Sequence, residues 1–331
     1  MSNKHSNISI FVPHIGCPNM CSYCNQRHIT GKCMPPKKAD VTRAVNTAKK
    51  SKNYDPKTTE IAFFGGSFTA INRKYMTDLL KTASSFVDKG AVSGIRISTR
   101  PDAIDEEILD ILKSFNVTAI ELGAQSMNDR VLRMNNRGHT ASAIVKASKL
   151  IKEKGFELGL QIMTGLYCDS DSVSLKTAEK IIEIKPDTVR IYPTIVLKDT
   201  DLCTLYMDGI YKPQSLNSAV NLASKLYSMF TQAGIKVIRL GLHSIEEDAY
   251  VAGPWHPAFS ELCQSQIMLN GVLSELKDKG EYIIYVSKSA VSKMIGQARK
   301  NIIHLRDLGY DCTVKEDENL KNLEYRIERS V

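Results

Sequence analysis

Cys17, Cys21 and Cys24, in the segment HIGCPNMCSYCNQ, stand at C-x3-C-x2-C spacing, a donor set for an iron–sulfur cluster left one ligand short. Three thiolates hold three irons of a 4Fe-4S cube. No fourth cysteine follows at matching close spacing, so the last iron stays open to another ligand. An open iron points to chemistry at the cluster rather than to electron storage. The competing readings are a zinc site completed by His14 or His28, and inert core thiols. Structural zinc sites usually come as two paired half-sites, and this chain has no second C-x2-C or H-x3-H pair. Inert thiols suit the stretch less, because Pro18, Asn19, Ser22 and Asn25 make it a polar, turn-rich loop.

Further binding candidates lie downstream. FFGGSF holds Gly65, Gly66 and Ser67, with glycines where a backbone must approach a ligand closely. Alone such a pair is weak evidence, and the chain has neither a G-x-G-x-x-G fingerprint nor a Walker loop. ELGAQS supplies Glu121, Gln125 and Ser126, and RGH supplies Arg137 and His139. An arginine fork and a glutamine amide suit a carboxylate or ribose hydroxyls, although Arg137 also reads as a helix-end surface residue. Gln161, inside an apolar run, is either satisfied by neighbouring backbone or a ligand contact.

The elements that must position these residues alternate between strand and helix. Strands are expected at Ile8–Val12, Glu60–Phe64, Ile95–Thr99, Ala119–Leu122, Leu158–Met163, Val189–Tyr192 and Val237–Leu240. Helical periodicity follows Asn72 (Leu79, Leu80, Ala83, Phe86) and Thr140 (Ile144, Ala147, Leu150, Ile151). Such alternation implies an α/β fold with a parallel sheet, either doubly wound or barrel-like. The number of units favours a partial (β/α)6-type TIM barrel, whose C-terminal strand ends carry the chemistry. Beyond Leu242 the pattern becomes a helix over about Pro257 to Lys279, a strand at Tyr282–Val286, a helix ending near Asp307 and a short strand around Cys312–Val314. This is a small C-terminal α/β extension, so the expected division is 1–245 and 246–331.

With 331 residues, 43% of them hydrophobic, the chain can bury a substantial core. Scattered cysteines and the absence of an apolar N-terminal stretch suggest a reduced, cytoplasmic protein, and no apolar run is long enough for a membrane partner. The net charge of +8, from 44 basic and 36 acidic residues, permits RNA binding without requiring it. There is no aromatic-interleaved basic motif for stacking single-stranded bases.

Taken together, these motifs resemble the radical S-adenosylmethionine (SAM) superfamily, including the aromatic Tyr23 before the third cysteine. The resemblance implies a 4Fe-4S cluster on Cys17, Cys21 and Cys24, with SAM chelating the open iron and cleaved reductively to a 5′-deoxyadenosyl radical. GGSF, STRPD, ELGAQS, NNRGHT and the run VRIYPTIVLKDTDLCTLYMDGIYKP are similar to the radical SAM domain of the Elongator catalytic subunit, over roughly Ile8 to Leu242. Oxygen-independent coproporphyrinogen III oxidase-like proteins are more distant relatives. By this resemblance Gly65 and Gly66 meet the SAM amino group, with Ser67 beside them. Gln125 and Arg137 contact the ribose and carboxylate, Ser126 is a weaker candidate, and Gln161 stands where relatives carry a ribose-binding Asp. GLY at Gly165–Tyr167 departs from the usual GLP. The residues after Leu242 are too few for Elongator's acetyltransferase domain, so acetyl transfer within this polypeptide is not expected. Trp255 and His256, in GPWHPAFSEL, are candidates for facing substrate, closing the barrel or simple packing. Cys33, Cys168, Cys203, Cys263 and Cys312 form no local ligand group and read as free thiols, Cys33 being nearest the cluster loop.

The function implied is radical SAM chemistry on a tRNA base or other nucleobase-containing substrate, with an electron donor such as flavodoxin or ferredoxin as partner. The alternatives are a small-molecule, peptide or tetrapyrrole substrate, and a non-catalytic iron–sulfur or haem-handling protein.

Overall fold

Ile8, Ile10 and Val12 alternate with more exposed residues along β1 (Ser6–Val12), the first strand of a computed structural model that describes residues 5–13, 17, 20–25, 34–242, 245 and 247–330. The chain continues through α1 (Lys38–Ala48), β2 (Thr59–Gly65), α2 (Arg73–Asp88), β3 (Gly94–Thr99), α3 (Glu106–Ser114), β4 (Val117–Gln125), α4 (Asp129–Met134), α5 (Ala141–Glu153), β5 (Glu157–Thr164), α6 (Asp171–Ile184) and β6 (Thr188–Pro193). After β7 (Val196–Leu197), α7 (Asp201–Met207) and α8 (Leu216–Gln232) comes β8 (Lys236–Leu240). Helix starts follow the capping residues: Asn72 Oδ1 accepts the Tyr75 N–H at 3.2 Å, and Thr140 Oγ1 accepts that of Ala143 at 3.3 Å.

The seven-stranded sheet has the order β1-β2-β3-β4-β5-β6-β8 with every neighbouring pair parallel. It curls into a partial TIM barrel whose edges, among the described residues, are β1 and β8. All seven expected strands fall within it. Helix faces such as Leu79, Leu80 and Ala83 of α2 pack on its outside in one continuous apolar core.

Inside the barrel the lower layer is charged, a feature that alternation alone did not reveal. Arg96 on β3 donates to Glu60 (Nε, 2.9 Å), Glu157 (Nη2, 2.9 Å) and, at 3.4 Å, Glu121. Burial opposes ionisation of Glu60, but Arg96 and hydrogen bonds from His5 and Thr118 hold its carboxyl below the usual range. On β6, Arg190 Nη2 donates to Glu121 Oε1 at 2.7 Å, and its guanidinium lies 5.0 Å from the centre of the Phe64 ring. These paired charges form the floor, and Glu121 among them also lines the cavity.

The C-terminal part adds β9 (Tyr250–Ala252), which pairs antiparallel with β7, and α9 (Phe259–Glu275), four residues shorter than expected at its C-terminal end. β10 (Gly280–Val286), α10 (Val291–Ile295), α11 (Lys300–Asp307), β11 (Tyr310–Glu316) and β12 (Tyr325–Arg329) follow. The single expected helix is two short ones, interrupted where Ala298 and Arg299 take positive φ of 51° and 62°. β12, read as no element from the sequence, pairs antiparallel with β10 on the side opposite β11. Its alternating Tyr325 and Ile327 are only half-buried, and flanking charges mask a strand signal this short.

Candidate active site

The cysteine segment and the double glycine meet because β1 and β2 are parallel neighbours whose C-terminal ends lie level, Val12 opposite Gly65. The Gly66 N–H donates to the Val12 carbonyl at 2.8 Å. A Cβ on Gly65, which has φ +115°, would sit 2.3 Å from the Val12 oxygen, and one on Gly66 would lie 3.5 Å from Cys17 Sγ. Only glycine allows this turn to run so close under the cysteines. Ser67 is buried, its Oγ 2.8 Å from Thr99 Oγ1.

Cys21 and Cys24 are anchored from the other side of the barrel mouth. The Ser22 N–H and Oγ donate to the carbonyl and Oδ1 of Asn135, at 3.2 and 3.0 Å, and the Leu202 N–H donates to the Ser22 carbonyl at 2.7 Å. Asn135 is fully buried and also donates to the carbonyls of Val131 and Tyr167. Nothing in its local pattern marks it; NNRGHT drew notice only for Arg137 and His139. Arg137 Nη1 lies 3.1 Å from Cys21 Sγ, while Nη2 donates to the Gly123 carbonyl at 2.6 Å. Gly123 has to be small, since a Cβ there would fall 2.9 Å from Gln125 Nε2 and 3.3 Å from Arg137 Nη2.

At the end of β4 the register shifts between Gly123 and Gln125, and Gln125 adopts φ +64°. This bulge aims Gln125 inward, where its Oε1 accepts from Gln161 Nε2 at 3.2 Å. Gln161 thus has a side-chain partner rather than backbone alone. The same kink turns Ser126 away: its Oγ is 3.4 Å from Thr177 Oγ1 and accepts the Asn128 N–H. Ser126 does not line the cavity and instead closes the turn into α4. Trp255 packs with Tyr250, ring centres 6.1 Å apart, and His256 Nδ1 accepts the Ala258 N–H at 3.0 Å, so both make local contacts beside β9.

A cavity of about 260 Å³ gathers Cys17, Cys21, Cys24, Gly65, Gly66, Ser67, Gln125, Arg137 and Gln161 at the C-terminal strand ends. The rest of its lining is mostly apolar, with Met163, Tyr192, Ile195 and Leu197 beside the carboxylate of Glu121, and Phe11 next to the glycine turn. Burial, reinforced by Cys21 and Cys17, pushes the Cys24 thiol up to about 12, so ligation of a cation there releases a proton at neutral pH. Among the described residues no three His, Cys, Asp or Glu side chains are close enough to share one metal ion. Cysteines that each take a different iron of a cube stand further apart than ligands of a single ion. His14, His28 and Cys33 lie outside the described residues. Two buried nitrogens of cavity-lining residues, Arg137 Nε and Arg100 Nη1, have no hydrogen-bond partner among the described residues. Thiol donors, a bare-backbone glycine turn and orphaned guanidinium N–H groups together fit a cluster with a small anionic co-ligand.

A family model described as the radical SAM superfamily matches residues 11–181, and one described as a radical SAM C-terminal domain matches residues 186–269. The chain belongs to the radical SAM superfamily. It is an enzyme of the radical SAM class, whose cofactors are a 4Fe-4S cluster and SAM. An uncharacterized protein of Methanocaldococcus jannaschii is 28% identical over 84% of this chain and 81% of its own length. Elongator complex protein 3 of Saccharomyces cerevisiae is 27% identical over 51% of this chain, and a tRNA uridine(34) acetyltransferase of M. jannaschii is 28% identical over 50%. In both cases the match spans only 34% of the relative's length. The archaeal Elp3 structure from Methanocaldococcus infernus shares the fold with TM-score 0.66 at 21% identity, over 80% of this chain and 63% of that one. Among the described residues, no helix of this radical SAM protein is long and apolar enough to cross a membrane.

His139 offers a test of the site's packing by pH. Burial and the nearby Arg137 lower its imidazole to about 4, and its Nδ1 has no partner among the described residues. The unfolded chain, with a histidine pKa of about 6.5, binds the proton more readily. The stability this neutral histidine contributes is therefore present above pH 6.5 and lost as pH falls towards 4, by about 2–3 kcal/mol. Urea unfolding at pH 7.5 and 4.5 should show that loss, and His139→Gln should reduce it.

Proposed function

We propose that Cys17, Cys21 and Cys24 ligate the 4Fe-4S cluster, that Gly65, Gly66, Ser67, Gln125, Arg137 and Gln161 hold SAM, and that the substrate is a tRNA base or another nucleobase-containing molecule. The observation that carries the reading is the convergence at one cavity: Gly66 against Cys17 Sγ and Arg137 Nη1 at 3.1 Å from Cys21 Sγ. When bound, cluster and SAM supply a hydrogen-abstracting radical. The chain's own part is to orient and enclose. The glycine turn offers backbone to the SAM amino group, Arg137 pairs with its carboxylate, and Gln125 with Gln161 meets the ribose hydroxyls. The apolar wall keeps water from the reacting centre. Support for the substrate comes from the tRNA-named and Elongator-type relatives. The division at residues 245 and 246 separates the barrel strands from an extension packed on them, and the change of apolar core falls within α9, which gives Phe259 and Cys263 to the barrel core and Met268, Leu269 and Val272 to the other.

A second reading, a small-molecule, peptide or tetrapyrrole substrate, is favoured by the mostly apolar lining of the cavity. Comparing tRNA nucleosides and metabolites between a deletion strain and its parent separates the two. A missing or altered nucleoside is the result expected; unchanged nucleosides with an altered metabolite overturn the tRNA assignment.

A further inference from the structure

Arg100, immediately after β3, lines the cavity with its side chain only 5% exposed. Two of its three guanidinium nitrogens are engaged. Nε donates to Asp102 Oδ1 at 2.9 Å, and Nη2 donates to Asp102 Oδ2 at 2.8 Å and to the Arg137 carbonyl at 2.5 Å. Nη1 is buried and has no partner among the described residues. Asp102 already balances the charge, so the arginine needs no ligand to remain ionised, and this clamp fixes where Nη1 points. An N–H pair of a charged group kept from water without an acceptor is unfavourable unless a ligand provides one.

The location says which acceptor. The Arg100 backbone N–H donates to Ser67 Oγ at 3.3 Å, and the Cβ position of the preceding Gly66 is 3.5 Å from Cys17 Sγ. Arg100 therefore reaches from the Gly66–Ser67 turn beside Cys17 to the backbone of Arg137, and the two arginines line adjoining parts of the cavity. Resting on the reading that SAM lies here with its methionine end at Gly65 and Gly66, we propose that Arg100 Nη1 is a second guanidinium donor to the SAM carboxylate. That carboxylate is the one anionic group SAM carries; its other acceptors are neutral hydroxyls and ring nitrogens, and a guanidinium favours the charge.

The test compares SAM with decarboxylated SAM, using anaerobic equilibrium dialysis on reconstituted wild type, Arg100→Gln and Arg100→Lys, each checked for four irons per chain. In Arg100→Gln the preference for SAM over decarboxylated SAM should fall about tenfold, with part of it kept by Arg100→Lys. A preference equal to wild type, whether affinities are unchanged or both ligands weaken together through a shifted Arg137, overturns the assignment. Failure of the wild type to bind SAM at all would instead remove the underlying reading of the cavity.

Discussion

Cys21→Ala should abolish cluster binding and, with it, SAM cleavage. Two remaining thiolates cannot hold the cube, and the change also strips Arg137 Nη1 of the sulfur 3.1 Å away. Disturbing residues merely behind metal ligands reduces activity about 10–100-fold, so losing a ligand should exceed about 100-fold. The fold should survive, because Cys21 is half-buried and the segment is pinned by Ser22 to Asn135 and Leu202 rather than by sulfur. Iron content, the cluster's visible absorbance and urea unfolding read these effects separately. Cys263→Ala is the control: its buried thiol sits in the apolar core away from the cavity. That variant should lose about 1 kcal/mol of stability and keep its iron. A Cys21→Ala protein with full iron would remove Cys21 from the ligand set.

Gly65→Ala should damage both fold and site. At φ +115° a side chain is strained by about 1–3 kcal/mol, and its Cβ would lie 2.3 Å from the Val12 oxygen and 2.7 Å from the Phe11 ring. Relief requires β1 and β2 to separate at their C-terminal ends, which moves the Gly66–Val12 hydrogen bond and the position of Cys17. Destabilisation of about 3 kcal/mol or more and at least about tenfold weaker SAM binding are the expected results. Gly90→Ala calibrates the strain, since Gly90 also has positive φ, +64°, but nothing within 4 Å of the added methyl. It should lose only about 1 kcal/mol and leave SAM binding alone. Equal behaviour of the two variants would contradict the close-approach role of Gly65.

The strands were legible because each is a short apolar run bounded by helical periodicity, and parallel order then brings loops distant in sequence to one mouth. Thus Cys17 and Gly66, separated by the whole of α1, were foreseeable neighbours, as were Gln125 at the end of β4 and Arg137 in the turn after α4. What stayed hidden depends on three-dimensional pairing. Ser126 reads like Gln125 until the bulge at Gly123 reverses its direction. Asn135 and Arg100 act through partners 113 and 37 residues away, which no local pattern encodes. Glu121 reads from the sequence as a binding candidate beside Gln125, until the curl of the sheet pairs it with Arg96 and Arg190 in the barrel floor. Trp255 packs with Tyr250 and His256 accepts a local backbone N–H, contacts beside the β7–β9 pair that leave no mark in the sequence.

The central claim is that the cavity holds a SAM-cleaving cluster on Cys17, Cys21 and Cys24. Its most direct test is 5′-deoxyadenosine formation by the full chain, reconstituted anaerobically with iron and sulfide and supplied with SAM and dithionite. The account predicts 5′-deoxyadenosine from the wild type and none above background from Cys21→Ala. A wild type carrying an intact 4Fe-4S cluster that yields no 5′-deoxyadenosine would contradict it.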